Sequence, residues 1–136
     1  MVELLRVFAD AFNDPQTYLG AMPGRDYLQG ILGQRYFIVL VAMDAYGKVV
    51  AGLAAYELQK FEQERNEIYI YDLAVAEPHR RRGIATRLIN ELKPIARQRG
   101  AYVIFVQADA GDVPAIKLYE SLGAGADVHH FDIPLD

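Results

Sequence analysis

The chain has 136 residues, of which 52% are apolar, and a formal net charge of -4. This length suits one domain with a single hydrophobic core. The chain contains no Cys, which excludes disulfides, thiolate metal sites and a cysteine nucleophile. Its one serine, Ser121, lacks a nucleophile-elbow pattern, which argues against serine hydrolysis. The acidic balance argues against a nucleic-acid partner and favours a cationic substrate.

The apolar runs are too short to cross a membrane. Residues 36–43 and 49–56 form the longest ones, whereas a membrane-spanning helix needs about 20 apolar residues. The first residues include an early Glu and show no signal-peptide progression. We therefore expect a cytoplasmic protein.

Helical and strand-like periods alternate along the first half of the chain. Apolar residues of segment 3–12 fall on one helical face, and the sequence Asn-Asp-Pro at 13–15 ends the pattern. Asp26 stands where the cap of a second helix is expected. Segments 35–44 and 48–58 are rich in β-branched and aromatic residues, which predicts a hairpin.

The second half has the pattern of a parallel β-α-β unit. Segment 67–76 predicts a buried strand, 83–99 an amphipathic helix and 102–108 a second buried strand. A short helix over 112–122, capped by its first Asp, and a last strand over 128–135 follow. The order α-α-β-β-β-α-β-α-β predicts an α/β domain with a mixed central sheet flanked by helices.

The connection between the predicted strand 67–76 and the predicted helix 83–99 is suited to holding phosphate. Consecutive N–H groups and a helix N-terminus point to one place there. The run Arg80-Arg-Arg-Gly-Ile-Ala85 adds three cations, while Gly83 and Ala85 leave space for a pyrophosphate. A Walker-type loop and a G-x-G-x-x-G motif are both absent from the sequence.

Two motifs carry a resemblance to a known family. The run from Arg80 to Ala85 matches the R/Q-x-x-G-x-G/A signature of the GNAT superfamily of N-acetyltransferases. Residues 112–123 are similar to the family's coenzyme A-proximal helix, N-x-x-A-x-x-L-Y-x-x-L-G. The resemblance implies the GNAT fold in a single domain and acetyl-coenzyme A as cofactor.

Longer stretches narrow the resemblance. Segments 54–75, 100–109 and 130–133 resemble the type I aminoglycoside 3-N-acetyltransferases. This implies transfer of acetyl to the 3-amino group of a deoxystreptamine antibiotic such as gentamicin, and a possible homodimer. Members of the family normally have one more strand before the first helix, whereas we expect this chain to begin with that helix.

The resemblance also implies roles for individual residues. Backbone groups of the strand end would pair with the pantetheine arm, and backbone amides of the turn would hold the pyrophosphate. Tyr119 would donate a proton to the departing thiolate. The cofactor-binding residues predicted in this way, besides Tyr119, are Leu73, Ala74, Val75, Arg80, Arg81, Arg82, Gly83, Ile84, Ala85 and Thr86.

The acceptor amine needs a base and a pocket. Asp109, at the end of the second parallel strand, is the first candidate for the base and Asp72 the second. Tyr69 and Tyr71 alternate onto one strand face, where they could line the pocket. A polycationic acceptor favours surrounding carboxylates. The candidates are Asp109, Asp112, Asp132, Asp14 and Asp26.

Two adjacent histidines do not form a metal pair. His129 and His130 would face opposite sides of a strand, so we predict no metal site. Two further interpretations stay open: a GNAT enzyme acting on another amine, such as a polyamine or a protein amino group, and a module that binds coenzyme A without catalysis.

Overall fold

The computed structural model describes residues 1–136 and contains five α-helices and four strands. The elements are α1 Val2–Ala11, α2 Pro15–Leu19, α3 Arg25–Leu32, β1 Phe37–Met43, β2 Val49–Gln59, β3 Asn66–Val75, α4 Ile84–Gln98, β4 Ala101–Val106 and α5 Val113–Glu120, with a 3-10 turn at Glu77–His79. None of the helices is long and apolar enough to cross a membrane.

The four strands form one mixed sheet in the order β1-β2-β3-β4. β2 is antiparallel to both β1 and β3, and β4 runs parallel to β3. Because parallel neighbours need a crossover, α4 connects β3 to β4 across one face of the sheet. The predicted mixed sheet with one parallel β-α-β unit is confirmed.

Each face of the sheet has its own apolar core. On one face, α4 contributes Leu88, Leu92 and Ala96, which pack on Ile68 and Ile70 of β3. The other face is covered in part by α1. The buried residues of this second core are Leu4, Val7, Phe8, Phe37, Val49, Ala54 and Ala74.

An extra residue in β3 changes which face its side chains occupy. Asp72 pairs with Ala54, but the next pair is Ile70 with Ala55, so Tyr71 is left without a partner on β2. Such a β-bulge shifts the side-chain alternation by one position. Leu73 therefore packs in the α4 core together with Ile70, whereas Asp72 lies on the α1 face.

Two parts of the chain differ from the sequence-based expectation near α2 and α3. Pro15 was expected to end a helix, but it begins α2, whose cap Asp14 accepts a hydrogen bond from the Thr17 N–H at 3.1 Å. Proline is tolerated there because the first helical position needs no N–H donor. Asp26 lies in the first turn of α3, and the capping position belongs to Gly24.

The predicted last strand over residues 128–135 is wrong. No regular secondary structure follows α5, and residues 124–136 are exposed. An alternating pattern makes a segment compatible with a sheet, but a strand forms only where a neighbouring strand accepts its hydrogen bonds. The outer edge of β4 does not pair with this segment.

Gly52 permits the close approach of α1 to the sheet. A Cβ at this position would collide with a methyl of the fully buried Leu4 and lie 2.8 Å from the Leu40 carbonyl oxygen. We expect Gly52→Ala to lower the free energy of unfolding by about 1–3 kcal/mol, because neither neighbour has space to move. Urea denaturation measures the change.

The matched control is Gly111→Ala, since a Cβ there would have no atom within 4 Å. We expect this variant to stay within about 0.5 kcal/mol of the original protein. Equal stabilities for the two variants would show that α1 is not held against β2 as the structure describes.

Candidate active site

The two parallel strands, β3 and β4, separate before β3 ends. Their last pair is Ile70 with Val106, and β3 then continues to Val75 with no neighbour on that side. Half of the backbone N–H and C=O groups of residues 71–75 point into the resulting gap. The predicted pantetheine-binding residues Leu73, Ala74 and Val75 all belong to this unpaired segment.

The turn after β3 is held in a specific shape. The Arg80 Nε donates a hydrogen bond to the Val75 carbonyl oxygen at 2.9 Å, which ties the turn to the strand end. Arg81 has a φ of 63° and Gly83 a φ of 76°. Both lie in the left-handed region, which glycine occupies without strain and other residues rarely adopt. The chain thereby reverses direction before α4 begins.

The turn has the features of an anion-binding site. No backbone N–H from Arg81 to Thr86 donates to another protein atom. Consecutive free donors at a helix N-terminus bind anions. A Cβ on Gly83 would have no atom within 4 Å, so the approach is open. The side chains of Arg80, Arg81 and Arg82 are exposed beside it.

Asp72 is the carboxylate closest to the separating strands. It is partly buried, and its Oδ2 accepts a hydrogen bond from the Tyr18 hydroxyl at 2.9 Å. Burial raises the pKa of Asp72 above its usual range, while the Tyr18 hydrogen bond opposes this by stabilising the charged form. A carboxyl with a raised pKa accepts a proton more readily than an exposed one.

Tyr119 of α5 lies on the other side of the sheet, against the α4 core. Burial raises the pKa of its phenol to about 12, and the charges of Asp112 and Asp72 add to the effect. Tyr119 therefore retains its hydroxyl proton at neutral pH. Asp72 lies on the α1 face and Tyr119 against the α4 core, so the two groups belong to opposite faces of the sheet.

The predicted tyrosine pair lies on the open part of the α1 face. The rings of Tyr69 and Tyr71 are 5.8 Å apart, as expected for residues two apart on one strand face. Tyr69 also stacks on Phe105 at 4.6 Å, and its hydroxyl donates to the Gln107 Oε1 at 3.1 Å. Tyr71 is 61% exposed, so it belongs to a surface and not to the core.

The remaining predicted carboxylates are exposed or cap helices. Asp112 caps α5 by accepting from the Ala115 N–H at 3.3 Å. Asp109 is exposed and its carbonyl oxygen accepts from the Asp112 N–H. Asp132 lies in the exposed segment after α5, with its Oδ1 2.9 Å from the His130 Nε2. Asp14 caps α2, and Asp26 is exposed on α3.

Two residues of the site escaped the sequence-based prediction. Tyr18 was missed because its helix α2 was not predicted, although an Asp-Pro pair ahead of it is a signal for a helix start. Tyr56 contacts Tyr71 at 5.9 Å. It could have been found only by knowing the register of β2 against β3.

Comparison with known proteins identifies the family. The model of the acetyltransferase (GNAT) family matches residues 4–124. The chain belongs to the GNAT acetyltransferase family. Acetyl-coenzyme A is the acetyl donor of GNAT enzymes in general, and the free amides after β3 fit its pyrophosphate. Among curated proteins, none matches the chain.

Solved structures of two aminoglycoside acetyltransferases are similar to this chain over nearly its whole length. The aminoglycoside acetyltransferase HMB0005, from an uncultured soil metagenomic sample, is 59% identical with a TM-score of 0.97, over 100% of this chain and 90% of the other. The aminoglycoside acetyltransferase meta-AAC0020, also from soil, in complex with sisomicin, is 34% identical with a TM-score of 0.90, over 99% and 88%.

A relative with another acceptor is more distant. The ribosomal-protein-alanine N-acetyltransferase of Brucella melitensis biovar Abortus 2308 is 26% identical with a TM-score of 0.73, over 98% of this chain and 90% of the other.

The Tyr18 hydrogen bond gives a prediction about Asp72. In Tyr18→Phe the ring still packs on Phe8, 5.8 Å away, but the hydroxyl donor is lost. Since that bond lowers the pKa of Asp72, we expect the pKa to rise further in the variant. A carbon-13 NMR titration of the carboxyl groups measures it. With Tyr46→Phe as control, in the exposed β1–β2 turn, an unchanged Asp72 pKa in both variants would contradict the contact.

Proposed function

We propose that this GNAT acetyltransferase is an aminoglycoside 3-N-acetyltransferase, which transfers acetyl from acetyl-coenzyme A to the 3-amino group of a deoxystreptamine antibiotic such as gentamicin. The observation that carries the chemistry is a partly buried carboxylate, Asp72, beside the gap between two strands and next to a turn of free amides. The 59% identity to an aminoglycoside acetyltransferase supports the acceptor class.

Bound acetyl-coenzyme A supplies the acetyl group as an activated thioester. The backbone of Leu73 to Val75 orients the cofactor along the strand edge, and the amides of Arg81 to Thr86 bind its phosphates. No protein nucleophile is needed when the amine itself attacks, which agrees with the absence of Cys from the chain.

Asp72 is the proposed general base. Its Oδ atoms take the proton from the acceptor ammonium, directly or through one water, so that the amine is uncharged when it reacts. Burial raises the pKa of Asp72, which favours this proton transfer. Asp109, the first candidate from the sequence, is exposed and has no hydrogen-bond partner on its side chain.

Tyr119 is the proposed general acid. Its hydroxyl keeps its proton because burial raises the pKa of the phenol to about 12. Tyr119 lies on the α4 side of the gap and Asp72 on the α1 side. Asp72 can therefore take the proton of the acceptor ammonium while Tyr119 delivers a proton to the departing thiolate.

A different amine is the second candidate acceptor. The similarity to a ribosomal-protein-alanine N-acetyltransferase, at 26% identity, favours a protein amino group as the alternative. The smaller identity and the open aromatic face, which suits a compact cationic molecule, place this alternative second.

The test of the function is thiol release from acetyl-coenzyme A in the presence of gentamicin, spermidine or a lysine peptide in parallel. We expect rapid release with gentamicin, and mass spectrometry with NMR to place the acetyl group on the 3-amino nitrogen. Faster release with spermidine or the peptide would assign the enzyme to another acceptor. Binding of acetyl-coenzyme A without thiol release in the presence of any of these amines would favour a binding module.

The choice of base is tested by a matched pair of variants. Asp72→Asn keeps an acceptor for the Tyr18 hydroxyl but cannot take a proton. We expect turnover to fall by about 100-fold or more, as is usual when a general base is removed, and Asp109→Asn to stay within about threefold. Steady-state kinetics with gentamicin measures both. A larger loss in Asp109→Asn than in Asp72→Asn would move the base to Asp109.

We further propose a homodimer that acts in the cytoplasm, where acetyl-coenzyme A is made. β4 is an edge strand, and the exposed segment after α5 carries apolar side chains at Val128, Phe131, Ile133 and Leu135. A second copy would cover both features, which natural proteins seldom leave open. Light scattering should give the mass of two chains in solution, and the mass of one chain would exclude the dimer.

A further inference from the structure

Three tyrosines form a continuous aromatic surface on the α1 side of the sheet. The rings of Tyr36 and Tyr56 are stacked with centroids 6.4 Å apart, and Tyr71 meets Tyr56 edge-on at 5.9 Å. Each comes from a different strand or strand entry, so the surface crosses β1, β2 and β3. The register of β2 against β3 positions Tyr56, and Tyr71 is the bulged residue of β3. Tyr36 lies in the turn before β1, where its carbonyl oxygen accepts a hydrogen bond from the Glu57 N–H at 2.7 Å.

This surface faces solvent. Tyr36 is 46% and Tyr71 61% exposed, and Tyr27 of α3, which is 68% exposed, is close enough to Tyr56 to add to the rise of its pKa. The largest cause of that rise is burial of the Tyr56 hydroxyl. Connected aromatic rings that stay exposed on a protein surface mark a place where a ligand or a partner binds.

The charged groups beside this surface favour a cation. Arg35 precedes Tyr36, and its Nε lies 3.8 Å from the Glu57 Oε2, so this guanidinium has a carboxylate partner. Besides burial, neighbouring phenols and the Asp72 carboxylate raise the pKa of Tyr56 and Tyr69. The nearby negative charge therefore attracts a positively charged ligand to this surface.

The acceptor has more positive charges than Asp72 can pair with. A polyamino sugar has several ammonium groups, whereas Asp72, whose Oδ2 is already hydrogen-bonded to Tyr18, pairs with one of them. The reactive ammonium group binds to Asp72, so the other ammonium groups of the acceptor need a different partner. The faces of tyrosine rings attract ammonium groups through the ring quadrupole.

We propose that Tyr36, Tyr56 and Tyr71 form a subsite that binds a second ammonium group of the acceptor by cation–π contact. The inference rests on the proposed function, which supplies a polycationic acceptor. Tyr56 is two residues along β2 from the partner of Asp72. One strand spacing and two residue rises place the two sites about 8 Å apart. The subsite thus selects amines with a second ammonium at that separation from the reactive one.

The test is calorimetric binding of gentamicin and of spermidine, which is independent of turnover. Tyr36→Leu and Tyr71→Leu remove an exposed ring, and Tyr36→Phe and Tyr71→Phe keep it. We expect the Leu variants to bind gentamicin about 5- to 30-fold more weakly and the Phe variants to stay within about twofold. Tyr46→Leu is the control, since this tyrosine is 96% exposed in the β1–β2 turn.

The outcomes separate the subsite from the function. Leu variants that bind like the original protein, or Phe variants as weak as the Leu variants, overturn the subsite, because the ring face would then contribute nothing. Ring-dependent binding of gentamicin without thiol release from acetyl-coenzyme A supports the subsite and overturns the function. Thiol release in the presence of gentamicin, with binding that does not depend on the rings, supports the function and overturns the subsite. If the original protein binds neither amine, both proposals are overturned.

Discussion

The bulge at Tyr71 is the constraint on which the site depends. A strand without it would alternate strictly, so Asp72 would point into the α4 core with Ile70, and Leu73 would lie on the open face. Burying a carboxylate among aliphatic side chains is strongly unfavourable. The extra residue removes this conflict, because the apolar residues before and after it share one face while Asp72 moves to the other.

The same stretch of chain also forms the remaining parts of the site. β4 ends opposite Ile70, just before the bulge, so the gap opens where Asp72 changes face. The turn of free amides follows Val75 and is tied back to it through Arg80. Asp72, the gap and the turn of free amides are therefore positioned by β3 and its exit. Tyr18 is the exception, since it reaches Asp72 from α2, and its contact depends on α1 packing against Gly52.

The turn after β3 and helix α5 could be predicted from local residue patterns. Features that depend on pairing between distant strands could not be predicted in this way. Free amides at Gly83 and the cap at Asp112 are short-range patterns of residue type, and the structure shows both. The face of Asp72 depends on a bulge that no glycine or proline marks, so a period of two gave no reason to rank it above Asp109. The prediction of a last strand was wrong because an alternating pattern does not show whether a neighbouring strand is available for pairing. Helix α2 was missed because Pro15 was interpreted as the end of a helix.

Proton transfer from an ammonium to a carboxylate works against a large difference in pKa, and the open face reduces that difference from both sides. Burial raises the pKa of Asp72, and the same low-dielectric surroundings disfavour the charged form of an amine held beside it. The tyrosine surface about 8 Å away has the opposite effect, since ring faces stabilise a cation. Under the proposed mechanism, an acceptor bound in this way keeps a distant ammonium charged for binding, while the amine at Asp72 loses its proton for reaction.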